Sequence, residues 1–195
     1  MENGLKLPKP FEYVPKPRVS CREQEFGPHF IFGLCDMLQH IPRRGEMVEV
    51  GCLAGEATAY FVQWMSKVHV IDPWDLWQKY WPGGVLMTDI ETEFKERLTE
   101  RNNVKVYKGF STQIAKEFED NSLDFVYIDA DHSYQAVKAD IVVWYPKVKD
   151  GGFLGGHDYS SKYPGTMRAV DERFVQVKTF MDTSWLIQRG GPVAR

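Results

Sequence analysis

Short apolar runs alternate along this chain with longer segments in which apolar residues recur every three or four positions. Val48–Val50, Lys67–Asp72, Val104–Tyr107, Leu123–Asp129 and Gly152–Gly156 read as buried strands, the last entered through an Asp150-Gly151 turn. Glu56–Met65 and Ser111–Phe118 lie between them at helical length, as do the stripes Met87, Ile90, Phe94, Leu98 and Tyr134, Val137, Ile141, Trp144. Thr88-x-x-Glu91 has the spacing of a capping box for the first of these stripes, with Glu91/Lys95 and Glu93/Arg97 placed for mutual contact. Upstream, Ile31, Leu34, Cys35 and Leu38 mark a helix that ends before Pro42 and should pack on the sheet edge beside the first strand. Near the end, a short helix with Met167, Val170 and Phe174 on one side gives way to the alternation Val175, Val177, Thr179, and Thr183–Gln188 follows after the Asp182 turn. The pattern predicts an α/β fold: a doubly wound, mostly parallel seven-stranded sheet with right-handed crossovers, ending in an antiparallel hairpin.

The chain is organised around Val48-Glu49-Val50-Gly51-Cys52-Leu53-Ala54-Gly55, where a strand breaks into two glycines and a helix. Gly51 would let the backbone leave the strand tightly, and Gly55 would admit a ligand or a neighbouring strand at the helix start. The helix amides would point at whatever fills the gap. Asp72 follows Gly51 by 21 residues, the spacing at which an acid ending the second strand of a Rossmann-like fold reaches a ribose. Leu53 stands where a nicotinamide-dinucleotide fingerprint needs its middle glycine. The side chain tells against a pyrophosphate and leaves room for S-adenosylmethionine, whose cationic centres would also suit Glu49. An ordinary strand-turn-helix with a surface Asp72 is the plainer alternative.

The 195 residues, 43% hydrophobic and 26% charged, suffice for one buried core, so residues 23–195 are expected to form a single domain behind a Pro-rich extended arm over 1–22. That arm is either a loose terminus or a strap over the site or a partner subunit, and a homo-oligomer stays open. A net charge of −3 without a Lys/Arg run recommends neither nucleic acid nor a membrane surface as partner, which favours a small molecule. Cys21, Cys35 and Cys52 share no CxxC spacing and read as free thiols. With no segment resembling a signal peptide or a membrane span, the expected location is cytoplasmic.

Two further features carry chemistry. Pro73–Gly84 holds three tryptophans and a tyrosine after the second strand, either as a satellite cluster on the core or as the wall of a substrate pocket. Asp129-Ala130-Asp131-His132 and His157-Asp158-Tyr159 close the fourth and fifth strands at the same sheet edge as Gly51 and Asp72. Such an oxygen-rich cluster suits Mg²⁺ or a similar hard cation, unless Asp131 or Asp158 merely caps a turn.

Asp124–Asp140, Gly151–Tyr159 and Ala169–Phe174 together resemble class I S-adenosylmethionine-dependent methyltransferases. The nearest resemblance is to the branch with a His-Asp-Tyr ending, related to macrocin-type sugar O-methyltransferases and cephalosporin-hydroxylase-like proteins. The resemblance implies that Asp72 holds the ribose and that Gly109, Phe110 and Ser111 lie by the adenine. It also implies Asp129 and Asp158 as Mg²⁺ ligands and His132 as general base. Where relatives often carry two consecutive acids, this chain has His157-Asp158. His157 then becomes a candidate ligand or a second base, and metal dependence an open matter. The implied reaction is methyl transfer to a small-molecule hydroxyl, with a nicotinamide-dependent oxidoreductase or a silent binding module on the same fold as alternatives.

Overall fold

The structure is a computed structural model that describes residues 7–18 and 29–191. Among the described residues nine strands form in chain order: β1 (Glu46–Val50), β2 (Lys67–Asp72), β3 (Tyr80–Trp81), β4 (Val85–Leu86), β5 (Val104–Lys108), β6 (Leu123–Ile128), β7 (Val148–Gly156), β8 (Lys178–Thr179) and β9 (Trp185–Gln188). Seven of them make one sheet in the order β5-β2-β1-β6-β7-β9-β8, parallel through β7 and antiparallel from β7 to β8. The order reverses between β1 and β6, which leaves the crevice outside the carboxyl ends of these two strands.

Alternation within the strands builds a core on each face. Met47, Val68, Val70, Phe125 and Tyr127 point to one side, where α1 (His29–Leu38), α2 (Thr58–Trp64) and α3 (Met87–Leu98) cover them. Val48, Val50, Ile71, Val126 and Ile128 point to the other, beneath α5 (Tyr134–Trp144) and α6 (Pro164–Asp171), with the short α4 (Ser111–Ile114) beside them. Helix α1 therefore lies on a face and not on an edge, because β1 is central in the sheet. Its Gly33 meets the turn before β9: a Cβ there would sit 2.3 Å from Asp182 Oδ1.

Other expectations are corrected by packing. The Thr88-x-x-Glu91 box does not form, because α3 begins at Met87, one residue before Thr88, with Leu86 as an N-cap that makes no side-chain hydrogen bond. Glu91 instead faces Lys95 at 2.6 Å and Lys108 of β5 at 2.6 Å. Asp150-Gly151 is not the entry to β7 but lies inside it, at a register shift against β6 where Gly151 takes φ +78°. The aromatic segment adds a two-stranded ribbon, β3 with β4, that the sequence pattern did not suggest.

Residues 7–18 of the arm run along this chain's own helices and do not line the crevice. Phe11 stacks on Trp64 at 5.1 Å, Glu12 N donates to Gln63 Oε1 at 2.7 Å, and Arg18 pairs with Glu93 at 3.1 Å. Residues 1–6 and 19–22 of the arm, Cys21 included, lie outside the described residues. Cys35 and Cys52 are buried free thiols. Among the described residues no helix is long and apolar enough to cross a membrane.

Candidate active site

The chain leaves β1 through Gly51 at φ +83°, where a Cβ would stand 2.3 Å from the carbonyl oxygen of Asp129 at the end of β6. Only glycine satisfies both the left-handed backbone and this approach. Asp72 then secures the turn: its Oδ2 accepts the amides of Cys52 at 3.1 Å and Leu53 at 2.9 Å, and Oδ1 accepts that of Trp74 at 2.8 Å. Burial raises its pKa, and the three N–H donors pull against that shift. Asp72 is thus a buried loop clamp that lines the crevice, not the surface residue of the plainer alternative. The amides after β1 are turned to Asp72, and α2 begins only at Thr58, two residues later than expected.

Gly55 and Glu49 sit behind this turn. A Cβ on Gly55, at φ +77°, would meet Phe94 Cδ2 of α3 at 2.9 Å, so the glycine makes room for a helix and not for a ligand or strand. Glu49 is buried and accepts the Thr58 hydroxyl at 2.5 Å. Neither residue lines the crevice, in contrast to Gly51, Asp72, Phe110, Ser111, Asp129, His132, His157 and Asp158, which all do.

The crevice is one cavity of about 680 Å³, within the range of small-molecule sites. Its acid end lies beyond β6 and β7. The carboxylate of Asp158, at φ +62°, lies 2.6 Å from His132 Nε2 and 2.9 Å from His157 Nδ1. Burial works to raise the Asp158 pKa, but the two imidazoles outweigh it and hold the carboxyl well below the usual range. Ligand atoms of Asp129, His132 and Asp158 all lie within 4.8 Å of one another, a spacing that suits one divalent cation. The His132 ring packs at 4.6 Å from Tyr163, whereas His157 is buried and meets Phe30 edge-on at 5.4 Å. Asp131 does cap a turn, its Oδ1 accepting the Ser133 amide at 2.7 Å.

The aromatic segment divides between two roles. Trp74 is fully buried and donates from Nε1 to the Leu53 carbonyl at 3.0 Å, tying the loop after β2 to the turn after β1. Trp77 and Trp81 line the cavity, and Trp77 is 57% exposed at its rim. Six non-glycine residues among those described have positive φ, and three of them, Leu53, Trp74 and Asp158, line this cavity. Backbone strain is concentrated where function is expected.

One lining residue was not singled out by the sequence. Asp140, on α5, is buried in the cavity wall and accepts the hydroxyl of Ser111. Burial raises its pKa to about 6. A signal existed: Asp140 lies between Val137, Ile141 and Trp144 on the apolar face of its helix, where an acid is out of place.

Among solved structures, a protein from Corynebacterium glutamicum superposes with a TM-score of 0.60 at 13% identity, covering 86% of each chain. CalS11, the TDP-rhamnose 3'-O-methyltransferase of calicheamicin biosynthesis, gives 0.55 at 14% identity, over 81% of this chain and 77% of that one. A Streptococcus mutans protein solved with SAH gives 0.54 at 12% identity, over 78% and 92%. At these identities the likeness shows a shared fold. No curated protein matches the sequence. Residues 48–159, which run from β1 through β7 to Tyr159 and so contain most of the crevice, match the family described as "Methyltransferase domain", and the chain belongs to that family.

Proposed function

We propose that the protein is an S-adenosylmethionine-dependent methyltransferase acting on a hydroxyl group of a small molecule, a sugar or an aromatic ring. The observation that carries this reading is a single cavity that joins the Gly51/Asp72 turn to the His132–Asp158 pair, in a chain of the methyltransferase-domain family. Leu53 at φ +47° fills the place where a dinucleotide's pyrophosphate would need glycine, which disfavours a nicotinamide enzyme. The sugar O-methyltransferase activity of CalS11 is consistent with this acceptor class.

When bound, S-adenosylmethionine supplies a sulfonium methyl group that needs no further activation. The protein's part is to bind, orient and deprotonate the acceptor. His132 Nε2 is held by Asp158 at 2.6 Å, with the side chain 38% exposed, so the imidazole is both oriented by a carboxylate and reachable by a hydroxyl. It takes the proton as the acceptor oxygen attacks. Tyr163, whose ring packs 4.6 Å from that of His132, offers a flat surface for a ring there, and Trp77 and Trp81 line the same cavity.

Asp129, His132 and Asp158 fit a divalent ion by donor type and spacing, and such an ion, if bound with His132 as a ligand, would lower the pKa of the acceptor hydroxyl in place of His132 acting as base. One imidazole and two carboxylates suit Mn²⁺ or Zn²⁺ as well as Mg²⁺.

The test is thermal unfolding with S-adenosylmethionine, S-adenosylhomocysteine or NAD added separately. At a hundredfold excess over its dissociation constant, a true ligand adds about 2.7 kcal/mol, which is a Tm rise of about 5–11 °C for a chain this size. The reading fails if neither S-adenosyl compound shifts the Tm. Methyl transfer to sugar and catechol-like hydroxyls, with and without EDTA, then assigns acceptor and metal.

A further inference from the structure

The cavity carries charge of one sign. Asp72, Asp129, Asp131, Asp140 and Asp158 line it, and among the described residues no lysine or arginine does. The lysines close in the chain to lining residues have other partners. Lys108 pairs with Glu91 at 2.6 Å and Lys138 with Glu172 at 3.1 Å, while Lys79 and Lys162 lie over the rings of Tyr80 and Tyr163, each at 5.3 Å. The components of the reaction do not balance the acids. S-adenosylmethionine brings one net positive charge, a divalent ion on Asp129, His132 and Asp158 brings two, and His132 is neutral as either base or ligand. Even a protonated His157 leaves the five carboxyl groups in excess. A concave wall of one sign concentrates the opposite sign and makes like charge costly to admit.

Asp131 is the acid of this set that an acceptor meets. Asp72 is taken by three amides, Asp158 lies against two imidazoles, Asp140 is buried and takes the Ser111 hydroxyl, and Asp129 is buried within the ion-ligand set. Asp131 is exposed and directly precedes His132. Its Oδ1 accepts the Ser133 amide at 2.7 Å, a bond that fixes the carboxylate while its second oxygen makes no hydrogen bond to the described residues. A separate feature points to the same kind of ligand: Trp77, 57% exposed at the rim, and Trp81 bring aromatic rings to this cavity, whose faces attract cations and repel anions.

We propose that the methyl acceptor is a small hydroxyl compound bearing a protonated amine, whose ammonium group is held by Asp131 beside His132. The inference rests on the methyltransferase reading of this cavity and narrows its acceptor: hydroxyl compounds that carry phosphate or carboxylate, nucleotide-linked sugars included, are rejected by charge. The acceptor oxygen bonds to the methyl carbon as the bond from that carbon to sulfur breaks, the hydroxyl proton passes to His132, and S-adenosylhomocysteine is left. The nitrogen does not compete, because as an ammonium it has no lone pair to take the methyl group.

The experiment follows transfer from radiolabelled S-adenosylmethionine to two matched series that differ in charge: glucosamine, glucose and glucuronate, and dopamine, catechol and protocatechuate. In at least one series the amine should exceed the neutral compound in kcat/KM by about fivefold or more, the worth of an exposed ion pair, with the acid the poorest of the three. That preference should shrink as salt is raised from about 50 to about 500 mM, because the attraction is screened. Asp131→Asn, which keeps a side chain able to cap the turn, should cut the amine-to-neutral ratio by about threefold or more. Equal use of the three charge types, preference for the acid, methylation of neither amine, or an Asp131→Asn ratio equal to the parent's overturns the proposal. Calorimetric titration with S-adenosylhomocysteine on the same preparation separates the two readings: binding with any of those results leaves the cofactor reading standing, and no binding removes both. The charge series on the unaltered protein decides the matter even if Asp131→Asn does not fold.

Discussion

Replacing Asp72 with alanine should destabilise the protein as well as weaken cofactor binding, because the carboxylate is a structural clamp. It is 6% exposed and accepts three backbone amides, from Cys52, Leu53 and Trp74, at 2.8–3.1 Å. Each hydrogen bond to a charged acceptor is worth about 1.5–3 kcal/mol, and a buried amide left unpaired costs about 1–3 kcal/mol. Against the three bonds stands the desolvation of a carboxylate that the native state no longer has to bury, so the sum cannot be taken at face value. Removing one partner from a buried charged network nets about 3–5 kcal/mol. For a chain of this size each kcal/mol moves the Tm by about 2–4 °C, so Asp72→Ala should lose about 6–20 °C. Asp72→Asn should fall between, since one amide oxygen can still accept while the NH₂ group opposes the donors it faces. Differential scanning calorimetry of the three proteins at pH 7 measures this directly. A Tm for Asp72→Ala within 2 °C of the parent would refute the clamp and return Asp72 to a role in ligand contact alone.

Three other outcomes follow from the same geometry. Gly55→Val places a branched side chain at φ +77° and 2.9 Å from Phe94, so it should cost about 2–4 kcal/mol in chemical denaturation while the folded fraction keeps its S-adenosylhomocysteine affinity. His132→Ala should reduce methyl transfer by about 10²–10⁴-fold with cofactor affinity little changed, measured by turnover and titration on one preparation; a fully active variant would move proton removal elsewhere. Asp140 titrates near 6 in the folded protein against 3.8 ordinarily, so the native state keeps a proton that the unfolded chain gives up first. Stability is therefore lost as pH rises from about 4 to about 6 and is level above, and Asp140→Asn should abolish that decline and gain up to about 3 kcal/mol at pH 7 in urea unfolding.

The succession of elements was legible in the sequence because each depends on residues close together in the chain. Phe125, Val126, Tyr127 and Ile128 are apolar without a break, which is what a central parallel strand covered on both faces requires. The 3.6-residue stripe from Val137 to Trp144 specifies its helix in the same local way, whereas of the Val175, Val177, Thr179 alternation only Lys178–Thr179 forms strand, paired antiparallel with β9. Gly51 was legible too, since a turn out of a strand is a short-range event. Tertiary structure decided the partners of each polar group, because these come from segments far apart in sequence. Thr88 lost its cap when α3 began one residue earlier, and Glu91 turned to Lys108 of a strand 17 positions on. The space at Gly55 was claimed by Phe94, the amides at Cys52 and Leu53 by Asp72, and the hydroxyl of Ser111 by Asp140, 29 residues away. Periodicity says which face of an element is buried. Which atom it meets there is set by strand order and helix packing, and that is where the chemistry of this cavity is fixed.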